Sequence, residues 1–329
     1  MKKVLRFLLR LIAAVLALVL CLLLAVFAVP LFETGDRTPV PGSADWMAQL
    51  PDELSLSEIV IPGTHDSATQ YVQLAFFSKC QAMSIGEQLE AGYRYLDIRL
   101  GVDREKGALQ LMHGFTKCKT GVFSDTLLLH DVLDACCDFL DAHPGETVIF
   151  AVKQEHGDES VSEFEALLDA VVRENESRWL LSDTLPSLGQ ARGKLVLLRR
   201  YEDEALLGER AGVPFVWANQ NGSADAALHT SAEENGSYTL WVQDRYEYGT
   251  EDKWNAFVSG VNAARDRAAG DVAVHFLSTK GTLAYGHQFL FARALNGKIM
   301  QADLALDGWV IVDFASAPLA ERIWSANAF

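Results

Sequence analysis

Basic residues are in short supply. The chain carries 28 Lys and Arg against 44 Asp and Glu over 329 residues. Lys2, Lys3, Arg6 and Arg10 sit at the very start, so everything after them has 24 basic side chains and a net charge of −20. Such a surface does not bind nucleic acid nonspecifically, and charge does not draw it to an anionic bilayer. Cysteine is scarce too, five residues in all, and no spacing resembles a zinc site. No G-x-G-x-x-G turn follows an early strand, which argues against a dinucleotide-binding open sheet. There is no internal repeat.

What the chain does have is one long apolar run. Leu11–Val29 is 19 uncharged residues behind the basic flank, enough to cross a bilayer core of ~30 Å. The flank predicts the N-terminus inside and the rest outside. Residues 1–32 are therefore expected to be a signal anchor that spans the membrane once. A cleaved signal peptide is the competing reading, with Val26-Phe27-Ala28 as a loose cleavage site. The run exceeds the usual ~7–15 residues of a signal core, and Pro30 follows the cut. The expected location is the cell membrane with an extracytoplasmic domain, or secretion if the segment is removed. Residues 33–50 read as a linker and 51–329 as the catalytic domain.

Cys21 lies within the apolar run. Cys136 and Cys137 fall in an amphipathic helical pattern over Leu127–Leu140 and read as core. Cys80 and Cys118 lie in polar stretches of a domain outside the cytoplasm, where disulfides are permitted. A Cys80–Cys118 bridge is expected.

After the linker, short continuous apolar runs alternate with helical patterns. Strands are expected at Ser57–Ile61, Tyr93–Leu100, Leu109–Met112, Thr147–Val152, Leu195–Leu198, Thr239–Val242, Val272–Leu277 and Trp309–Val312. Helices are expected at Ile85–Ala91, Thr126–Ala142, Ser160–Arg173, Asp252–Ala268 and His287–Leu295, and the end is helical. Continuous apolar strands indicate a parallel sheet buried on both faces. The fold class is α/β, a single closed (β/α)8 barrel of the TIM type. Asn219–Gly236 interrupts it and makes the repeat irregular.

Barrel chemistry sits at the C-terminal ends of strands. There the chain places His65 and Asp66, then Asp97 and Arg99, whose alternation puts both on one face. His113, Lys153 with Glu155, Arg199 with Arg200, Asp244 with Tyr246, and Asp313 follow. Any one of these alone is more simply a rim charge, a structural ion pair or a satisfied core histidine. Together they describe one chemistry. One histidine takes a proton from an attacking hydroxyl and the other gives one to the leaving group. An arginine neutralises charge on a phosphoryl group. That is phosphodiester cleavage without a metal.

The segments IPGTHDSAT, LEAGYRYLDIRL, LMHG, HPGETVIFAVKQE, ARGKLVLLRRY, WVQDRY and DGWVIVDF occur in this order. Together they resemble the bacterial phosphatidylinositol-specific phospholipase C family, from about Leu54 to Trp324. The resemblance implies that His65 is the general base on the inositol 2-hydroxyl, oriented by Asp313. It implies that His113 is the general acid with Asp66 as its carboxylate partner. Arg99, supported by Asp97, would stabilise the phosphoryl group. Lys153, Arg200, Asp244 and Tyr246 match inositol-binding positions. Implied products are diacylglycerol and inositol 1,2-cyclic phosphate, and the implied substrate is a membrane phospholipid of the phosphatidylinositol type or its glycosylated form. Related eukaryotic enzymes hold calcium in this region; Arg99 stands where that ion would sit, so no metal and no cofactor is expected. A monomer is expected. Members of the family known as secreted enzymes lack the N-terminal span, and Asn219–Gly236 does not align, which leaves the head group open.

Two other readings compete. A glycerophosphodiester phosphodiesterase also uses two barrel histidines, but its first reads HRG, not THD, with acidic calcium ligands nearby. A non-catalytic head-group-binding barrel would be favoured by loss of one histidine, and both are present.

Overall fold

The computed structural model describes residues 2–155, 157–221, 238–281 and 287–327. Its strands are β1 (Ile61–Thr64), β2 (Tyr95–Asp103), β3 (Ala108–His113), β4 (Thr116–Lys117), β5 (Val148–Gln154), β6 (Trp179–Leu180), β7 (Leu195–Arg199), β8 (Val213–Pro214), β9 (Leu240–Gln243), β10 (Val272–Phe276) and β11 (Trp309–Val312). Its helices are α1 (Lys2–Phe32), α2 (Ala75–Ser78), α3 (Ile85–Glu90), α4 (Leu129–Ala142), α5 (Val161–Glu174), α6 (Leu188–Ala191), α7 (Thr250–Ala263), α8 (Gln288–Gln301) and α9 (Ala317–Trp324).

The strands curl into an irregular α/β barrel. Parallel ladders run β7-β5-β2-β1-β11-β10-β9, with β6 and β8 pairing opposite ends of β7. Among the described residues no ladder joins β8 to β9, and the Tyr238 hydroxyl donates to the Pro214 carbonyl across that seam. The interior is apolar and aromatic: Tyr95, Phe215, Trp309, Ile149, Val242 and Ile311 fill it. Gly63 makes this closeness possible on β1, because a Cβ there would meet Ile311 Cδ1 at 2.4 Å and Tyr95 Cβ at 2.8 Å. Outside the barrel, α4 and α5 cover β2 and β5, while α7, α8 and α9 cover β11 and α7 also packs on β10. Helix α1 stands apart from this core, with every residue from Lys2 to Ala25 exposed. Among the described residues it is the one helix long and apolar enough to cross a membrane.

Three expectations about this frame need correction. The first strand starts at Ile61, and Leu56–Glu58 is a 3-10 turn instead. Ser55 and Glu58 form a reciprocal capping box that bends the chain there. The third strand is not a stave of the barrel. It folds back antiparallel on β2, Leu100 opposite Leu111, after a turn in which Asp103 accepts the N–H groups of Glu105 and Lys106. Finally, the stretch read as a linker is buried at Glu33, Ser43, Trp46, Met47 and Leu50, though most of the rest is exposed. Trp46 and Met47 are fully buried under the barrel floor. Their neighbours lean on a buried Arg94–Glu146 pair 2.8 Å apart, whose Glu146 takes the N–H of Ala48 and whose Arg94 donates to the Ser43 and Ala44 carbonyls. Most of Asn219–Gly236 lies outside the described residues.

Candidate active site

At the C-terminal end of the barrel a cavity of about 470 Å³ opens. It is lined by His65, Cys80, Arg99, His113, Lys153, Glu155, Arg200, Asp244, Tyr246 and Asp313, with Trp217 and Lys280 among their neighbours. Asp66 and Asp97 lie just beneath, both essentially buried. The expected catalytic and ring-binding residues are thus close together, whereas Arg199 turns away to donate to the Tyr201 carbonyl and Cys118 lies in the apolar core.

His65 follows the last residue of β1, and its backbone N–H continues the ladder to Val312. Its Nδ1 lies 2.8 Å from Asp313 Oδ1, beyond the end of β11. Gln81 braces the pair: its amide donates to the carbonyls of His65 and Val312, and its oxygen accepts the Ala315 N–H. Burial and the nearby Arg99 cation push the His65 pKa well below the usual 6.5. Burial and the Asp66 charge push Asp313 upward. At 2.8 Å, His65 Nδ1 and Asp313 Oδ1 share a hydrogen bond. With the proton on Nδ1, Nε2 carries its lone pair towards the cavity.

His113 ends β3. Its Nδ1 donates to the Ser78 carbonyl at 2.7 Å, which turns Nε2 inward. Asp66 Oδ2 sits between the two histidines, 3.2 Å from His65 Nε2 and 3.4 Å from His113 Nε2. Asp66 thus faces both rings, not His113 alone. It holds a left-handed backbone, φ 44°, which short polar side chains tolerate better than most. Burial raises its carboxyl to about 6, against the pull of Arg99 and His113.

Arg99 stands among three carboxylates: Asp66 Oδ1 at 3.2 Å, Asp97 Oδ2 at 3.0 Å and Glu155 Oε1 at 3.5 Å. Asp97 also takes Arg200 at 2.7 Å. Burial would raise Asp97, but the two arginines overcome it and hold the carboxyl far below the usual range. Glu155 is likewise held down, at about 2, by Arg99 and Lys153 against its burial. The sets His65–Cys80–Asp313, Asp66–Cys80–His113 and His65–Asp66–Asp97 each bring ligand atoms within 4.8 Å of one another. The Arg99 guanidinium already supplies a positive charge to the last two through Asp66 and Asp97.

The far wall is aromatic. Arg200 stacks over Trp217, 3.9 Å from the ring centre, and Trp217 donates to Asp244 at 3.2 Å. Tyr246 holds Asn219 at 2.8 Å, with the Lys280 ammonium 5.2 Å from its ring centre. Trp217 and Lys280 went unassigned in the sequence because neither lies on a regular element. Glu155 stood beside Lys153 in the motif, but its ion pair with Arg99 depends on tertiary packing.

The disulfide is not formed. All five cysteines are free, with Cys80 and Cys118 fully buried. Cys118 packs in the apolar core outside β2. Cys80 turns into the cavity, its sulfur 3.9 Å from His113 Nδ1.

The sequence model described as "Phosphatidylinositol-specific phospholipase C, X domain" matches residues 55–201. A protein of Listeria monocytogenes named 1-phosphatidylinositol phosphodiesterase is 31% identical over 305 residues, 86% of this chain and 85% of that one. One of the same name from Staphylococcus aureus is 28% identical over 293 residues, 82% of this chain and 88% of that one. Among solved structures, a pentafluoro-Phe form of the phosphatidylinositol-specific phospholipase C from Staphylococcus aureus superposes with a TM-score of 0.73 at 24% identity, over 88% of this chain and 98% of that one. The Listeria monocytogenes enzyme gives 0.65 at 25% identity, over 87% and 99%. By sequence and by fold, this chain belongs to the phosphatidylinositol-specific phospholipase C family.

Proposed function

We propose that the protein cleaves phosphatidylinositol, or its glycosylated form, to diacylglycerol and inositol 1,2-cyclic phosphate without a metal. The observation that carries this reading is the placement of both histidine Nε2 atoms around Asp66 Oδ2 in one cavity, with Arg99 alongside.

His65 Nε2 takes the proton of the inositol 2-hydroxyl as that oxygen forms its bond to phosphorus. Asp313 holds the ring and stabilises the charge it gains. The phosphorus–oxygen bond to diacylglycerol breaks, and that oxygen takes the proton shared by His113 and Asp66. Arg99 meets the charge on the phosphoryl oxygens; its three carboxylate partners fix it in place, so it needs no reorganisation during the reaction. The attack is intramolecular, so the substrate itself supplies much of the orientation. Lys153, Arg200, Asp244 and Tyr246 line the part of the cavity that would take the ring hydroxyls. The Arg99 charge among Asp66, Asp97 and Glu155 supports metal independence.

The barrel, from residue 51 on, is the catalytic unit in this reading, tethered outside the cytoplasm as a monomer by α1. The test is release of cyclic inositol phosphate from phosphatidylinositol vesicles by the wild type and by His65→Ala. Product from the wild type alone is expected, and its absence under permissive conditions would end the proposal.

A further inference from the structure

The end of α1 is locked onto the rim of the cavity. Val26 and Ala28 are half-buried and Pro30 is buried, against α2. The Lys79 ammonium donates to the carbonyls of Pro30 and Glu33, at 2.8 and 3.1 Å. The Glu33 side chain is buried, 2% exposed, and its Oε1 meets His287 Nε2 at 2.5 Å. His287 stacks on Phe76, ring centres 4.5 Å apart, and the neighbouring Gln288 donates to the Phe77 carbonyl. The buried Glu33 carboxylate faces His287, and Lys79 grips the main chain at Pro30 and Glu33, so removing His287 strands a buried carboxylate and removing Lys79 frees the end of α1. A flexible linker would leave no such cluster.

The joint sits at a defined depth. At ~1.5 Å per residue, ~20 helical residues cross a ~30 Å core. Counted from Leu11, just past Arg10, the crossing ends near Pro30. That is where α1 packs on α2. The apolar side chains beside it are exposed: Leu74 49%, Phe77 54% and Leu290 60%. Leu74 caps α2 and Phe77 lies on it, next to Ser78, whose carbonyl holds His113, and Leu290 lies on the first turn of α8.

We infer that the rim formed by Leu74, Phe77 and Leu290 docks on the leaflet in which the chain's own α1 ends, and that the Glu33–His287–Lys79 joint sets this orientation. The enzyme then works in cis, on lipid of the membrane that holds it. The cis activity rests on the phosphodiesterase reading above; the docking does not. Both are tested with the full chain in phosphatidylcholine vesicles containing phosphatidylinositol. Phe77→Trp is introduced and quenched with brominated lipid, relative to the unsubstituted chain. The comparison chains carry a flexible Gly/Ser insertion between Phe32 and Glu33, or Glu33→Ala. The added tryptophan should be quenched in the intact chain and about half as much or less in both altered chains. Turnover of phosphatidylinositol in the anchor's own vesicle should fall about tenfold in both, with soluble short-chain substrate within about twofold. An unquenched tryptophan, or own-vesicle turnover unmoved by either change, overturns the inference. If the intact chain cleaves neither substrate, the phosphodiesterase reading fails, and the quenching still decides whether the rim docks.

Discussion

The Ser78 carbonyl takes the Nδ1 proton of His113 at 2.7 Å. A main-chain oxygen can only accept, so it fixes Nδ1 as the donor and turns Nε2 towards Asp66. In the proposed reaction this ring serves the leaving group, so a leaving group that needs no proton separates the two histidines.

His65→Ala and His113→Ala should each lose about 100- to 10,000-fold in turnover of phosphatidylinositol. With a nitrophenyl ester of inositol phosphate, whose leaving group departs without a proton, His113→Ala should recover most of its loss. His65→Ala should not. Equal recovery by both, read from steady-state rates, would refute the division of roles.

The Asp66 carboxyl, raised by burial to about 6, gives a pH prediction of definite sign. It should carry the leaving-group proton below that value and lose it above, so kcat/KM should decline as pH rises through about 6. The depressed His65 keeps the base neutral well into the acid range. Because the folded pKa is raised, ionised Asp66 costs stability above pH 6 and nothing below its ordinary 3.8. Asp66→Asn, which suits the left-handed backbone, should therefore melt higher than wild type at pH 8, by up to about 3 kcal/mol, and gain nothing below about pH 4. Its alkaline limb of activity should disappear. A uniform stability change across pH, seen in thermal melts, would contradict the argument.

Activity should persist in strong chelator, measured on metal-stripped protein. Arg99→Ala should lower kcat by about 100- to 1,000-fold. It should also destabilise the fold by about 3–5 kcal/mol at neutral pH, since Asp66, Asp97 and Glu155 lose their shared cation. The destabilisation should shrink in acid, where carboxylates protonate. Loss of activity in chelator, restored by calcium, would overturn the role given to Arg99.

Reducing agent should leave the thermal midpoint unchanged. Breaking a native disulfide costs about 2–5 kcal/mol, which would be plain in a melt. Alkylation of the unfolded, unreduced chain should label all five cysteines, and labelling of only three would restore the bridge.

The barrel was legible where burial is continuous. Thr147–Val152 and Trp309–Val312 are unbroken apolar runs, and β5 and β11 lie almost where they fall. The Asp97–Arg99 alternation likewise placed both side chains together. Legibility failed where a local hydrogen bond or a tertiary contact decides. The Ser55–Glu58 box displaced the first strand. The Asp103 turn, ending at Gly107 with φ 61°, reversed the third strand, and that Asp-to-Gly spacing was a usable turn signal. Cys80 and Cys118 sit among Lys, Ser and Thr, so their surroundings in sequence read as solvent. Both are buried, because the chain around them folds against the barrel.

The hydrogen bond from His65 to Asp313 joins residues 248 positions apart, at the ladder where the first strand meets the last. A chain still being made carries its histidine long before the carboxylate that orients it exists. A chain cut short before β11 never acquires it. The orientation of His65 is thereby tied to completion of the last strand.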